Sequence, residues 1–260
     1  MATALLFWVL FEFVMNSLGP FMTRTPNWLH GSSVGSSVSI AMVGVTYLFL
    51  KYDKLTFSDL GMTFNADAVF RFIFSLVAGM VFFGCFYLLY LWLTPVEVVS
   101  KQNVDVVSII PLAFLSFLML SLMEEIAFRG YFLKKLETAI GIRAAIYMSS
   151  LVFGLYHGFA FGSITGPAVW GLLYGVLVYW SKDLAVPIGF HAGANLIQGY
   201  AGEKERYADG LWAFELTEKV TPFTVVQFSF FLQIFLFVLG VVLVEVYLAK
   251  NSLSNILITK

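Results

Sequence analysis

The chain of 260 residues is 60% hydrophobic and only 12% charged, whereas soluble domains are about 45–50% apolar and about 25% charged. This composition excludes an ordinary soluble domain, because so few polar residues could not cover the apolar core, whereas a lipid bilayer solvates apolar surface. The net charge of −1 gives no basic field that would attract nucleic acid, and the single cysteine excludes an intramolecular disulfide.

Eight apolar segments are candidates for membrane spans, each of which takes about 20 helical residues. Their approximate limits are 3–22, 34–50, 69–93, 109–133, 142–158, 164–180, 186–200 and 223–248. The pattern predicts an all-α, polytopic transmembrane bundle of about eight spans in contact with the lipid bilayer. Because no repeat, low-complexity tract or linker divides the chain, we expect residues 1–260 to form a single membrane-embedded domain.

The basic residues between the predicted spans indicate an orientation, because cytoplasmic loops carry an excess of lysine and arginine. The termini and the even-numbered loops contain nine basic residues: Lys51, Lys54, Arg71, Lys134, Lys135, Arg143, Lys182, Lys250 and Lys260. The odd-numbered loops contain five: Arg24, Lys101, Lys204, Arg206 and Lys219. This excess predicts an integral membrane protein with both termini in the cytoplasm.

Two adjacent glutamates lie inside the fourth predicted span, where ionisable groups are costly and often functional. On an α-helix, Glu125 and Arg129 lie on one face in the favoured order for an ion pair. Glu124 points about 140° away from Arg129. The spacing predicts that Arg129 neutralises Glu125, a pair that can also be purely structural. Glu124 is then available as a general acid or base.

Two histidines belong to later spans, His157 near the end of the fifth and His191 in the seventh. His191 and Asn195 are four residues apart and share a helix face. The small residues 192–194 between them would let a neighbouring helix or a substrate come close. The helical rise of about 1.5 Å per residue permits these groups to meet Glu124 at a common depth. Each histidine could instead be a simple interhelical hydrogen-bond donor.

Three motifs in this order resemble the CAAX-protease and bacteriocin-processing (CPBP, Abi-like) family of intramembrane proteases, which includes the type II CAAX prenyl endopeptidases. The motifs, complete at every defining position, are Glu124-Glu125-x-x-x-Arg129, Phe153-x-x-x-His157 and His191-x-x-x-Asn195. The resemblance covers about residues 109–200, which would form the catalytic core.

The resemblance implies an endopeptidase that cuts a membrane-anchored or lipidated protein or peptide. Family substrates include prenylated CAAX proteins, peptide pheromones, bacteriocins and C-terminal anchoring segments. By resemblance, Glu124 and His157 activate a water molecule, whereas His191 and Asn195 stabilise the oxyanion. The Glu125–Arg129 pair would orient the site.

A metal-free mechanism with Glu124 as the acid and base is favoured, and no cofactor is expected. Zinc stays an alternative, because Glu124, His157 and His191 could hold the ion and leave one position for water. The sequence lacks a His-Glu-x-x-His motif, in which two histidines share one helix face.

Two other classes of function remain open. Intramembrane glutamates and histidines could form the relay of a proton- or ion-coupled transporter, although the sequence lacks the repeated halves that transporters commonly have. A non-catalytic membrane scaffold could use the polar cluster for stability alone. Replacement of Glu124 separates these classes, because only a peptidase should lose cleavage while still folding.

Overall fold

The computed structural model describes residues 2–22, 27–102, 104–204 and 210–258, and most of them are helical. A helix occupies each of the eight segments that the sequence predicts as spans. The elements are α1 (Ala2–Met22), α2 (Asn27–Tyr52), a 3₁₀ turn (Ser58–Leu60), α3 (Ala66–Leu93), β1 (Val96–Ser100), α4 (Val106–Glu125), a π-helix (Ile126–Phe132), α5 (Leu133–Ile140), α6 (Ile142–Tyr156), α7 (Phe161–Ser181), α8 (Ala185–Tyr200), β2 (Trp212–Leu216) and α9 (Val225–Ile258).

Four stretches of helix in the described part of the chain are long and apolar enough to cross a membrane. They are Ala66–Leu93, Ile109–Ile140, Ile164–Ser181 and Val225–Lys250. The first and last expose large apolar side chains, among them Phe74 and Phe235, as expected of helices that contact lipid rather than water. These features support an integral membrane protein. The total of about eight spans and the cytoplasmic position of the termini stay predictions.

A small antiparallel sheet is the main departure from the all-helical expectation. Strand β1 follows α3, strand β2 precedes α9, and the register pairs Val96 with Leu216. Phe214 of β2 stacks on Tyr87 of α3, with ring centroids 5.4 Å apart. Strands of five residues contain too few alternations to give a clear sequence signal, and these two lie far apart along the chain.

Loops that the sequence assigns to the cytoplasmic side meet at one end of the bundle. Lys135 of α5 lies 3.1 Å from Asp53, which follows α2. The backbone N–H of Leu184, which precedes α8, donates to the carbonyl of Gly61 after the 3₁₀ turn. The helices connected by these loops therefore alternate in direction, which agrees with the predicted order of the segments.

The beginning of α8 is fixed by one buried carboxylate. Asp183 accepts a hydrogen bond at 2.9 Å from the backbone N–H of Ala185, the first residue of the helix. The same carboxylate lies 2.7 Å from Nε of Arg71 on α3. This pair joins the N-terminal ends of α3 and α8 and sets the depth at which α8 presents its polar residues.

Helices α3 and α8 pack closely because glycines replace larger residues in their interface. A Cβ atom on Gly193 would overlap the backbone of Leu76, and one on Gly79 would overlap the carbonyl of Phe190. Close packing at small residues is typical of membrane helices. The prediction that a neighbouring helix approaches α8 at the small residues 192–194 is confirmed at Gly193.

Substitution of Gly193 by alanine is expected to lower the free energy of unfolding by about 1–3 kcal/mol, because the added methyl meets backbone atoms of α3 that cannot move aside. Thermal unfolding in detergent measures this loss. The matched control is Gly44→Ala in α2, where nothing lies within 4 Å of the added methyl. That variant should be unchanged or slightly more stable. Equal melting temperatures for the two variants would contradict the packing.

Candidate active site

The first motif lies where α4 continues into a π-helix. Glu124 and Glu125 end α4, and the following seven residues, which include Arg129, form the π-helix and are all buried. The sequence predicts a regular α-helix here, and the structure differs. Wide π turns are rare and often occur at functional sites. This local change in geometry coincides with the residues singled out for chemistry.

The predicted ion pair between Glu125 and Arg129 is present and buried. Arg129 Nη1 lies 3.2 Å from Glu125 Oε1, and both side chains are at most 1% exposed. The guanidinium also lies over the ring of Phe153, 4.0 Å from its centroid. Within the described residues, Arg129 Nε and Nη2 and Glu125 Oε2 have no hydrogen-bond partner. Arg129 is therefore held by one ionic contact and by packing against an aromatic face.

His191 connects both glutamates of the first motif. Its Nδ1 lies 2.8 Å from Glu125 Oε1, and its Nε2 lies 3.6 Å from Glu124 Oε2. An ionised carboxylate only accepts hydrogen bonds, so Nδ1 carries a hydrogen and donates it to Glu125. In the neutral ring, Nε2 is then an acceptor that faces Glu124. The ring also stacks on Tyr174, with centroids 4.5 Å apart, which fixes its plane.

The two adjacent glutamates have different surroundings, as the helix geometry predicts. Glu125 is fully buried and contacts both Arg129 and His191. Glu124 is 8% exposed and faces His191 across a gap too long for a direct hydrogen bond. Glu125 is therefore held by neighbours, whereas Glu124 retains an oxygen that can reach a reacting group.

Asn195 is held between two side chains that the sequence did not single out. Its Nδ2 donates to Ser121 Oγ at 3.1 Å, and its Oδ1 accepts from Lys204 Nζ at 2.7 Å. Ser121 lies three residues before Glu124 on α4, so its position on the site's face could have been found from helix spacing. No spacing in the sequence relates Lys204 to the site, because Lys204 follows α8 and resembles an ordinary charged loop residue.

His157 lies at the rim of the site, where α6 ends, and its side chain is exposed. Its Nδ1 is 2.8 Å from the carbonyl oxygen of Phe153 and donates to it. The Phe153 ring lies 4.7 Å from the His157 ring and 6.2 Å from the His191 ring. Phe153 therefore packs near both histidines. Within the described residues, no hydrogen bond joins His157 to Glu124.

The segment that carries these residues can be compared with known protein families. Residues 106–197 match the family of Rce1-like type II CAAX prenyl endopeptidases. The matched segment contains all three motifs, so the resemblance to the CPBP family is confirmed there. No curated protein and no solved structure matches the chain.

Glu124, His157 and His191 are the residues that would hold zinc if the protein bound it. Across residues 2–22, 27–102, 104–204 and 210–258, no three His, Cys, Asp or Glu side chains lie close enough together to hold a metal ion. Both histidines of the candidate zinc set use Nδ1 within the protein, His191 toward Glu125 and His157 toward Phe153. Each ring therefore keeps Nε2 as its possible metal donor, an arrangement common in zinc sites, so zinc stays the alternative to the metal-free mechanism.

Proposed function

We propose that the chain is an intramembrane endopeptidase that hydrolyses a peptide bond in a prenylated or otherwise lipidated, membrane-anchored protein or peptide. The observation that carries this proposal is the contact chain from Arg129 through Glu125 and His191 to Glu124. The match to Rce1-like endopeptidases covers all four of these residues.

Peptide hydrolysis needs a base for the attacking water, donors for the oxyanion and an acid for the leaving amine. Glu124 Oε2 and His191 Nε2 are acceptors 3.6 Å apart, so one water molecule can donate a hydrogen bond to each. Glu124 takes a proton as the water oxygen attacks the carbonyl carbon. It returns that proton to the amide nitrogen as the C–N bond breaks, which yields a carboxylic acid and an amine.

The remaining residues prepare this step. Glu125 holds Nδ1–H of His191, so that Nε2 stays an acceptor toward the water. An amide group carries two hydrogens, and Asn195 uses one of them on Ser121. The second hydrogen is available to the oxyanion. Water exclusion by the surrounding apolar residues strengthens each of these contacts.

The contacts support a different division of roles between the histidines from the one that the resemblance implies. The resemblance pairs Glu124 with His157, whereas the ring nitrogen closest to Glu124 belongs to His191. His157 is exposed, and its bond to Phe153 uses Nδ1 and not Nε2, so Nε2 is suited to contact an incoming substrate. In this assignment, His191 acts beside Glu124 and His157 acts at the rim of the site.

The substrate and the membrane arrangement complete the proposal. The family match supports a prenylated membrane protein as substrate, and pheromone, bacteriocin and C-terminal anchor peptides are the other candidates. The excess of lysine and arginine in the termini and even-numbered loops supports a multi-pass protein with both termini in the cytoplasm.

Peptide cleavage by the purified protein tests the proposal. Farnesylated peptides and their unprenylated counterparts, together with pheromone and anchor peptides, are incubated with protein in nanodiscs, and products are mapped by mass spectrometry. We expect one cut close to the lipidated residue, greater loss of rate in His191→Gln than in His157→Gln, and no effect of chelators. Absence of cleavage for every peptide class would contradict the proposal. If chelators abolish cleavage and added zinc restores it, the metal-free mechanism is wrong and a zinc mechanism takes its place.

The same preparation distinguishes the transporter alternative. In proteoliposomes that contain a pH-sensitive dye, a proton-coupled transporter moves protons when its solute is added, and Glu124→Gln abolishes that movement. A peptidase gives no such flux. Proton movement without any peptide product would favour transport.

A further inference from the structure

Lys204 lies beside the site although it follows the last helix of the matched segment. Its partly buried side chain reaches back along α8, so that Nζ is 2.7 Å from Asn195 Oδ1. Lys204 is outside residues 106–197, and no motif includes it. The fold of the chain just after α8 therefore places the Lys204 ammonium beside Asn195.

A Schellman turn at the end of α8 directs Lys204 toward the site. The N–H of Glu203 donates to the carbonyl of Gln198, and the N–H of Gly202 donates to that of Gly199. This pair of bonds defines the motif, in which the residue after the helix adopts a left-handed conformation. Gly202 has φ +83°, which a residue without a Cβ atom adopts without strain. The chain therefore folds back over the end of α8.

The contact between Lys204 and Asn195 fixes which way the amide of Asn195 points. An ammonium group has only donors, so the atom that faces it must be the amide oxygen. The NH₂ group then faces Ser121 and the interior of the site. Without the cation, the amide could rotate and present its oxygen, which would repel an oxyanion.

Resting on the peptidase function proposed above, we infer that Lys204 is a positioning residue that holds Asn195 with its amide hydrogens toward the reacting carbonyl. The charge of Arg129 is committed to Glu125, so Lys204 supplies a second cation for the site. Its field also favours the negative charge that develops on the substrate oxygen.

The surroundings of Lys204 make its charge sensitive to pH. Burial lowers the pKa of Lys204, and the carboxylates of Glu124 on α4 and Glu203 next to it oppose that shift. His191 on α8 also faces it. The ammonium is present below this lowered pKa and is lost as pH rises through it. A neutral amine can also accept hydrogen bonds, so the orientation of Asn195 is no longer imposed.

Substitution of Lys204 by methionine tests the inference, with Lys219→Met as a matched control on an exposed loop residue. We expect kcat of Lys204→Met to fall about 10–100-fold with little change in KM, less than the 10²–10³-fold typical of losing a donor itself. Lys204→Arg, which keeps a charged donor, should recover most of the rate and retain it to higher pH than the wild type.

A spectroscopic measurement separates this inference from the proposed function. In protein labelled with ¹⁵N-asparagine, the side-chain amide signal of Asn195 is identified by its loss in Asn195→Asp. We expect the signal to move in Lys204→Met and not in Lys219→Met. If the Asn195 signal moves in Lys204→Met but the wild type cleaves no peptide, the peptidase function is contradicted, whereas the positioning of Asn195 by Lys204 is supported. An unmoved signal, or equal kcat for the two methionine variants of a cleaving enzyme, would overturn the inference.

Discussion

Replacement of Glu124 by glutamine is expected to slow peptide hydrolysis by about 10²–10⁴-fold, the usual contribution of general acid–base catalysis. Glutamine keeps the size of the side chain and can still contact His191, but its amide oxygen cannot take a proton from water. Stability should change little, because Glu124 is not part of the buried ion pair. The initial rate of cleavage and the melting temperature, measured on the same preparation, test both parts.

The control for Glu124→Gln is a glutamate that lies away from the site. Glu245 on α9 pairs with Arg143 at 2.8 Å and accepts from the Tyr147 hydroxyl at 3.1 Å. Glu245→Gln should therefore retain full cleavage. If Glu124→Gln cleaves as fast as Glu245→Gln, Glu124 is not the acid and base. If neither variant loses the biological function of the protein in cells, a scaffold is favoured over an enzyme.

Contacts within one helix were predictable from the sequence, because residue spacing fixes which side chains share a face. The ion pair between Glu125 and Arg129 and the separation of Glu124 from it followed from four-residue spacing, and both are present. Hydropathy likewise predicted a helix in each of the eight apolar segments, because long apolar runs leave few alternatives. These features depend on local geometry alone.

Contacts between helices could not be derived in the same way. Spacing puts His191 and Asn195 on one face of α8, but it does not say which helix they meet. The bond of His191 to Glu125 depends on how α8 packs against α4, and residue spacing within one helix does not specify that packing. The family resemblance predicted that the three motifs form one site. Only the structure shows which of their side chains bind each other.

Local backbone features that lack a strong sequence pattern were also missed. The π-helix of residues 126–132 replaces an expected α-helix without any proline or glycine pair at its beginning. Lys204 was counted as a loop charge, because only a left-handed Gly202 brings it back to Asn195. A glycine two residues after a predicted helix end is a weak sign of such a turn. The contact of Lys204 with Asn195 is therefore visible only in the structure.

Replacement of Arg129 by methionine is expected to lower the free energy of unfolding by about 3–5 kcal/mol, because it leaves Glu125 fully buried without its cation. The control is Arg143→Met. Arg143 pairs with Glu245, but these side chains are 66% and 41% exposed, so its loss should cost at most about 1 kcal/mol. Unfolding followed in detergent by a graded denaturant compares the two. Equal losses would show that burial does not raise the cost of breaking the pair.

The double variant Glu125→Leu with Arg129→Met separates stability from chemistry. Apolar side chains of similar volume in place of a buried pair are often neutral or stabilising, so the double variant should regain most of the stability that Arg129→Met loses. Its cleavage should stay low, because His191 Nδ1 then lacks the carboxylate that fixes its orientation toward Glu124. Recovery of stability without activity identifies the pair as a support for His191. Recovery of both would mean that His191 needs no such support.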